Sequence, residues 1–600
     1  MRKNIENIVL LSAFAMAFSG CESFLDTRID IYDTMDRLET RYETLNEFAN
    51  AYYVQMQSGF DAIDGNLFAA ASDEAVQTAP VSDVSYFNRG LLSPDQNPLS
   101  YLYENYYEGI RAAHFFIDYA KDGENFLALN RDTSRVYNAD GTVNNTDNPR
   151  AYARDTINLR WQRAEARIAE AYYYSELIKM YGAVPIVEGF EASEGFMKQA
   201  TYDEVVEHIV TLIDENKDKV CLDWRVAVEE TPQNAVADVK NWNIWGNTGR
   251  FDKTAALAIK ARTLLYAASP RNNPENDPVK WERAAEAANE LIQTRRQIFE
   301  NGFDFGYAAG PQDWHIPANR DYNAYFLSFN ATQNNESIYV IREWASSTLE
   351  GLNYPIGTRG GNSGVTPTQN LVDAYEYIGA QSADPYANRD PRFAATIVYN
   401  GSSWNGVTSI DEAPGGAYDM TVNGASKTGY YLKKFLAPNL NLIEGGSSDH
   451  VWPVYRYAEV LLNYAEAMNE AYGPDSDPKN YGMTAMDALM EVRNGASTSL
   501  PAVTASTQEA FRDAVKHERQ VELAFEDHRY WDLIRWLDAE EVLNKPVRGV
   551  VVQKNSIGGF AYNYQDVESR VFQKRHYYMP FTRQEVINSG GTLTQNPEYN

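Results

Sequence analysis

The sequence predicts a mainly α-helical protein, a tetratricopeptide-like scaffold of helix pairs interrupted by one long irregular insertion. Three observations carry that expectation. Apolar residues recur at helical spacing over about 40–300 and again over about 450–540. RAEARIAEAYYY, ERAAEAANEL and YAEAMNE share an Ala-Glu-Ala texture, and small residues let helices approach closely. No steady period of about 34 residues survives, so the pairs are not a regular repeat array. From about 303 to 449 the chain turns rich in Gly, Asn, Ser, Pro and aromatics, with only short strand-like pieces such as SIYVIREW.

The chain starts as an export signal. Arg2 and Lys3 precede an apolar run, Ile8 to Phe18, too short for a bilayer span, which takes roughly 20 residues. Phe18-Ser19-Gly20-Cys21 resembles a bacterial lipobox, with Phe18 where Leu is more usual. In that reading residues 1–20 are removed and Cys21 becomes a lipidated N-terminus. Each buried methylene contributes about 0.8 kcal/mol and stable anchoring takes more than one chain, so a lipidated Cys21 would tether the mature protein to a membrane surface. Cys221 is then alone, without a disulfide or a cysteine metal site, and is expected to be a shielded side chain.

The helical elements come in order. Leu45, Phe48, Ala49 and Tyr52 share one helical face, as do Tyr103, Tyr106, Tyr107, Ile110 and Ile117, with His114 on the same side as a packed core histidine. In RAEARIAEAYYYSELIKMYGAVPIV, Ala164, Ile168, Ala171, Ser175 and Ile178 form a stripe; Gly182 can close the helix and Pro185 prevents its resumption. KTAALAIKARTLLYAASP is apolar nearly all round, as a helix buried by neighbours would be, and Pro270 stops it. WERAAEAANELI is its antiparallel partner. Tyr457, Leu461, Tyr464 and Met468 mark a further face, and FRDAVKHERQVELAFEDHRYWDLIRW reads as one long helical stretch. There Arg529, Asp532 and Arg535 are spaced for pairing, while Trp531 and Trp536 are expected in the core. In NRDPRF, Asp390 stands between Arg389 and Arg392 and can pair to hold a turn.

Composition narrows the function. A net charge of -30 argues against nucleic acid and against a basic membrane-clinging surface. Aromatics make up 13% of the chain, with 41 Tyr and 11 Trp, the side chains that grip flat, hydroxyl-rich ligands. Enzyme motifs are missing: HERQV lacks the second histidine of a zinc helix, GGNSGV is not a nucleophile elbow, and no glycine loop leads to a phosphate-binding lysine. A carboxylate pair for glycoside hydrolysis is a matter of separation in space, which spacing in sequence does not give.

Eight blocks, in order from Cys21 to Tyr599, resemble the SusD/RagB outer-membrane lipoproteins of Bacteroidota: GCESFLD, AEAYYYSELIKMYGAVPIV, KTAALAIKARTLLYAASP, TPTQNLVDAYEY, NRDPRFAATIVYNGSSW, VYRYAEVLLNYAEAMNE, HERQVELAFEDHRYWDLIRW and YYMPFTRQEVINSGGTLTQNPEY. The resemblance implies one SusD-like domain over 21–600, with a C-terminal segment from about 541 to 600. It implies a non-enzymatic, cell-surface glycan-binding lipoprotein. Such proteins act as a lid that delivers oligosaccharide or polysaccharide to a SusC-like TonB-dependent transporter. Some members hold calcium, but no acidic loop with the required spacing occurs, and GPDSDP is too weak a match. Glycan contacts vary within the family, so no motif transfers them. Region and chemistry select Tyr86, Phe87, Asn88, Trp314, His315, Tyr322, Trp344 and Trp404, each in competition with local packing. Two other readings stay open: a RagB-like peptide-binding lid, and a periplasm-facing helical scaffold lipoprotein.

Overall fold

The computed structural model describes residues 48–120, 148–189, 197–224, 249–301, 303–305, 308–310, 312–328, 334–556 and 558–599. The expected signal peptide, Cys21 and Leu45 lie outside them.

Helix is the main regular structure of the described chain. The scaffold comprises α1 (Tyr101–Tyr119), α2 (Asn148–Tyr181), α3 (Tyr202–Asn216), α4 (Lys253–Ala268), α5 (Pro278–Asn301), α6 (Tyr457–Tyr472), α7 (Ala485–Ala496), α8 (Gln508–Glu522) and α9 (Arg529–Trp536). Neighbours in sequence pack as pairs: α1 on α2, α2 on α3, α4 on α5, and α6 on α7 and α8, with α5 against α6 joining the two helical stretches. Alanines make the close approaches. Ala255, Ala256, Ala258, Ala261, Ala267 and Ala268 of α4 are all buried, as are Ala284, Ala285, Ala287 and Ala288 of α5. α4 is shielded on every side, as its apolar sequence predicts.

Helix ends obey local chemistry. Gly182, at φ +77°, ends α2, and its N–H donates to the Ile178 carbonyl. Asp252 caps α4, accepting from the Ala255 N–H at 2.9 Å and the Thr254 hydroxyl at 2.7 Å. Asp252→Ala should lower unfolding free energy by about 1–2 kcal/mol, read as a lower denaturant midpoint at unchanged slope.

Two expected helices take another course. Around Tyr52 the described chain is helical at Phe48, turns at Ala49 and Asn50, and forms the 3-10 turn Ala51–Tyr53. The Tyr52 carbonyl accepts from the Tyr173 hydroxyl at 2.8 Å, and the Tyr53 hydroxyl donates to Glu165 at 2.8 Å. Contacts with a distant helix take the place of the next helical turn. The stretch from Phe511 to Trp536 breaks between α8 and α9, where Phe525 (φ +64°) and Asp527 (φ +60°) are left-handed. Carbonyls at the break go to buried cations: Glu522 O accepts from Arg456 at 2.8 Å, and Ala524 O from Lys434 at 2.7 Å.

The insertion is less irregular than its composition suggests. Strand β1 (Ala75–Gln77), β2 (Ser337–Ser346), β3 (Val365–Pro367) and β4 (Ser448–Arg456) pair antiparallel as β1 with β3 and β2 with β4. The β2–β4 ladder brings the two ends of the excursion together beside the helical frame. A hairpin of β5 (Val547–Lys554) and β6 (Phe560–Glu568), which the periodicity does not announce, comes after α9. The C-terminal tail then laces distant parts together. Arg570 donates to carbonyls of Ser72 and Ala75, and Asn596 to those of Tyr181 and Met579. One buried apolar cluster runs from Ala49 to Leu593.

The expected core residues are there. His114 is buried on α1 and shares Glu170 of α2 with His208, at 3.1 and 3.2 Å. Burial alone would raise the Glu170 carboxyl. Hydrogen bonds from His114 and His208, with Arg167 beside it, bring it down to about 2. Cys221 is buried with Trp161 and Trp224, and burial, with Asp252 and Asp223 nearby, pushes its thiol up. Trp531 and Trp536 are buried.

Candidate ligand-binding face

A charged core fixes the end of β4. Arg456, its last residue, is 1% exposed and reaches Glu336 at 2.7 Å, Glu522 at 2.7 Å and Glu526 at 2.6 Å. Glu522 also takes Arg392 at 2.8 Å and Arg320, so three guanidiniums meet on one carboxylate. Burial alone would raise the Glu522 carboxyl; Arg320, Arg456 and Arg392 hold it well below the usual range. Arg392 also binds Asp390 at 2.6 Å, the pair expected from NRDPRF. Arg389 instead donates to the carbonyls of Val372, Tyr375 and Pro385. Of the expected α9 pairs, Arg535 meets Asp532 at 2.8 Å, whereas Arg529 turns away to Asp73, also at 2.8 Å. Buried charges satisfied in this way fix geometry more than they add stability.

The other end of the ladder is where a side chain is turned outward. Ser448 pairs with Ser346 and His450 with Glu343, so Trp344 and Ala345 together stand opposite the single residue Asp449. This is a β-bulge, which re-aims side chains. Trp344 is 76% exposed, against 5% for Trp452 on the same ladder. Beneath the bulge the frame is rigid. His450 binds the buried Glu350 at 2.8 Å, and Phe60, Phe435 and Trp452 pack edge-to-face or tilted. The loop entering β4 exposes Asn439, Asn441 and Ile443. A Cβ on Gly360 would lie 3.0 Å from Leu442 and 3.5 Å from Ile443, so this loop sits close only because that side chain is missing. Exposed Arg359 and Asn362 flank Gly360. The chain thus exposes an indole at the bulge and, on the loop entering β4 and around Gly360, amides, an aliphatic side chain and a guanidinium. Flat apolar contact plus hydrogen-bond donors suits a hydroxylated ligand held without covalent chemistry.

Residues 323–599, which contain this ladder, match the SusD family. SusD-like protein P2 of Formosa agariphila is 24% identical over 455 residues, 73% of this chain and 74% of that relative. Over those residues this chain is similar to the SusD family. Its fold is that of a SusD-like protein from Bacteroides fragilis, with a TM-score of 0.69 at 20% identity over 95% of this chain and 99% of that one. Surface glycan-binding protein A from Bacteroides fluxus superposes with a TM-score of 0.60 at 20% identity over 93% of this chain and 100% of that one.

The eight residues selected from sequence do not converge. Of the eight, Trp344 alone is a large aromatic presented to solvent on the ladder. Trp404 is 4% exposed and packs edge-on against Tyr354 at 5.3 Å, so no ring face remains for a ligand. Tyr322 is buried in the charged core, its hydroxyl donating to Glu522 O and accepting from Lys434. Phe87 is buried between Phe68 and Tyr530, and Asn88 is buried with its amide on the Ala70 carbonyl. Tyr86 is half-buried against the core. Trp314 and His315 stack on each other next to α7, where His315 binds Glu491 at 2.8 Å and Arg296 lies over Trp314. They lie against α5 and α7.

The exposed loop group of Asn362, Asn439, Asn441 and Ile443 is not selected by sequence reasoning. Its only local signal is a loop rich in Asn and Gly, shared by much of the insertion. Among the described residues no group of three His, Cys, Asp or Glu side chains is placed to hold a metal ion. Asp477 of the GPDSDP loop accepts from the backbone N–H groups of Tyr481 and Gly482. Among the described residues no helix is long and apolar enough to cross a membrane.

Proposed function

We propose that this protein captures oligo- or polysaccharide at the cell surface without altering it, with Trp344 as the stacking platform. The observation that carries the reading is the bulge that turns Trp344 outward within the family-matched region. The glycan-binding protein of Bacteroides fluxus, which shares the fold, supports the ligand class. Cys21 carries lipid that tethers the protein to the outer membrane. The helix pairs dock on a SusC-like TonB-dependent transporter, and the ladder side delivers glycan toward its barrel. A lid of this kind needs a soft attachment and one firm edge.

Migration through native gels containing a panel of polysaccharides tests the binding. At least one polysaccharide should retard the protein, and Trp344→Ala should weaken that binding about tenfold or more, the loss of one desolvated tryptophan. Reducing sugar released from the same polysaccharide by the purified protein would refute non-enzymatic capture. Co-purification of a TonB-dependent barrel from mild detergent checks the partner. Retardation by peptides but by no polysaccharide would replace the ligand class.

A further inference from the structure

A cavity of about 110 Å³ opens between the 57–62 segment, α1, α2, α4, β4 and the turn linking α8 to α9. At roughly 30 Å³ for each water it holds about four waters. Trp344 does not line it. The charges that line the cavity are paired, with one exception. Glu176 meets Lys179; Arg262 meets Glu459 at 2.6 Å; Glu526 meets Lys434 and Arg456, both at 2.6 Å. The Oδ1 of Asp527 is buried and has no hydrogen-bond partner. An oxygen in that state is costly as part of an anion. It is less costly in a protonated acid, whose O–H can donate to cavity water.

The surroundings of Asp527 favour the neutral form. Burial raises its carboxyl most; Lys179 and the Phe68 N–H lower it, and Glu176 and Glu526 raise it again. The balance pushes it up to about 7. His528 is held well below the ordinary histidine value, by burial first and then by Arg262, Arg519, Arg456 and Lys179. Tyr101, Tyr106, Tyr172 and Tyr266 are all pushed up, by burial above all. The turn itself is poised to respond. Phe525 (φ +64°) and Asp527 (φ +60°) are both left-handed, a conformation that side chains disfavour and that only the surroundings maintain. Trp531 stands next to it: it lines the cavity, stacks on Phe68 at 6.1 Å and lies under Lys179 at 5.1 Å.

We propose that Asp527 is a proton-operated switch in the turn between α8 and α9. Protonated, its side chain stays in the cavity wall. Deprotonated, it turns toward Lys179 and the cavity water, carrying the turn with it and shifting Trp531. The step is the transfer of one proton from the carboxyl to solvent. It does not rest on polysaccharide capture at Trp344. The folded value lies above the ordinary 3.8, so folding favours the neutral acid. That contribution is fully present below about pH 3.8 and is lost as pH rises through about 7.

Tryptophan emission of the full-length mature protein, followed from about pH 5.5 to 8.5, reads the switch. Emission should shift to the red with a midpoint at about 7, as water gathers beside Trp531. Asp527→Asn keeps a neutral side chain that tolerates the positive φ, and should abolish this component with the fold intact. Lys179→Met removes the cation that favours the anion and leaves Glu176 unpaired, so the midpoint should move up. The infrared band of a protonated carboxyl should disappear over the same pH range, and Asp527→Asn should lack that change. The proposal fails if emission stays flat, if Asp527→Asn titrates as the unaltered protein does, or if no carboxyl band changes. It fails equally if Lys179→Met leaves the midpoint in place or lowers it.

Discussion

Glu522→Ala should destabilise the protein by about 3–5 kcal/mol, the range for removing one partner from a buried charge network. Glu522 is fully buried, and its loss leaves Arg320, Arg392 and Arg456 converging on an empty position. Arg456 keeps Glu336 and Glu526, and Arg392 keeps Asp390 and Glu518. The loss therefore shows as strain and desolvation rather than as wholly unpaired charge. Denaturant unfolding measures it, and a change below about 1 kcal/mol would mean that water replaces the carboxylate at little cost.

The same carboxylate makes a pH prediction. Its folded-state pKa lies well below the ordinary 4.5, so the unfolded chain binds the extra proton first. Its contribution is fully present above about pH 4.5 and is lost as pH falls toward the depressed folded value. Glu170 behaves alike between 4.5 and about 2. Unfolding midpoints should therefore fall steeply below pH 4.5, and the fall should be shallower in Glu522→Ala.

Gly429→Ala should cost about 3 kcal/mol, from two separate penalties. Gly429 has φ +72°, where a side chain costs about 1–2 kcal/mol. A Cβ there would also lie 2.3 Å from the Val550 carbonyl oxygen and 2.8 Å from a Val550 methyl. The carbonyl belongs to β5, which is tied to this segment by the Val550 N–H donating to Thr428 O at 2.8 Å, so the strand cannot withdraw without losing that bond. Overpacking of this kind adds about 1–3 kcal/mol. Gly379 is the control: φ is +81° and nothing stands within 4 Å of an added Cβ. Gly379→Ala should cost only the conformational part, and equal losses at the two positions would rule out the contact with β5.

Sequence periodicity is enough for α1, α2, α4, α5 and α6, because each buries a face whose spacing is set by the helix itself. It fails where distant partners take the backbone groups, as at the Tyr52 carbonyl and at the carbonyls of Glu522 and Ala524. The C-terminal hairpin escapes it for a related reason. Its β6 strand, FAYNYQDVE, is largely exposed and carries little of the burial pattern that marks a half-buried strand.

The candidate face is legible only in kind. Aromatic content and an Asn- and Gly-rich insertion point to a neutral, hydroxylated ligand and to the region that holds it. Of the tryptophans picked there, Trp344 and Trp404 look alike in sequence, each coming after a short polar or strand-like run. What separates them is register. Two residues opposite Asp449 turn Trp344 into solvent, while Tyr354 covers Trp404. Local pattern determines which helices form and what ligand chemistry the chain can offer. Tertiary pairing decides which ring is exposed, because exposure depends on neighbours that lie far away along the chain.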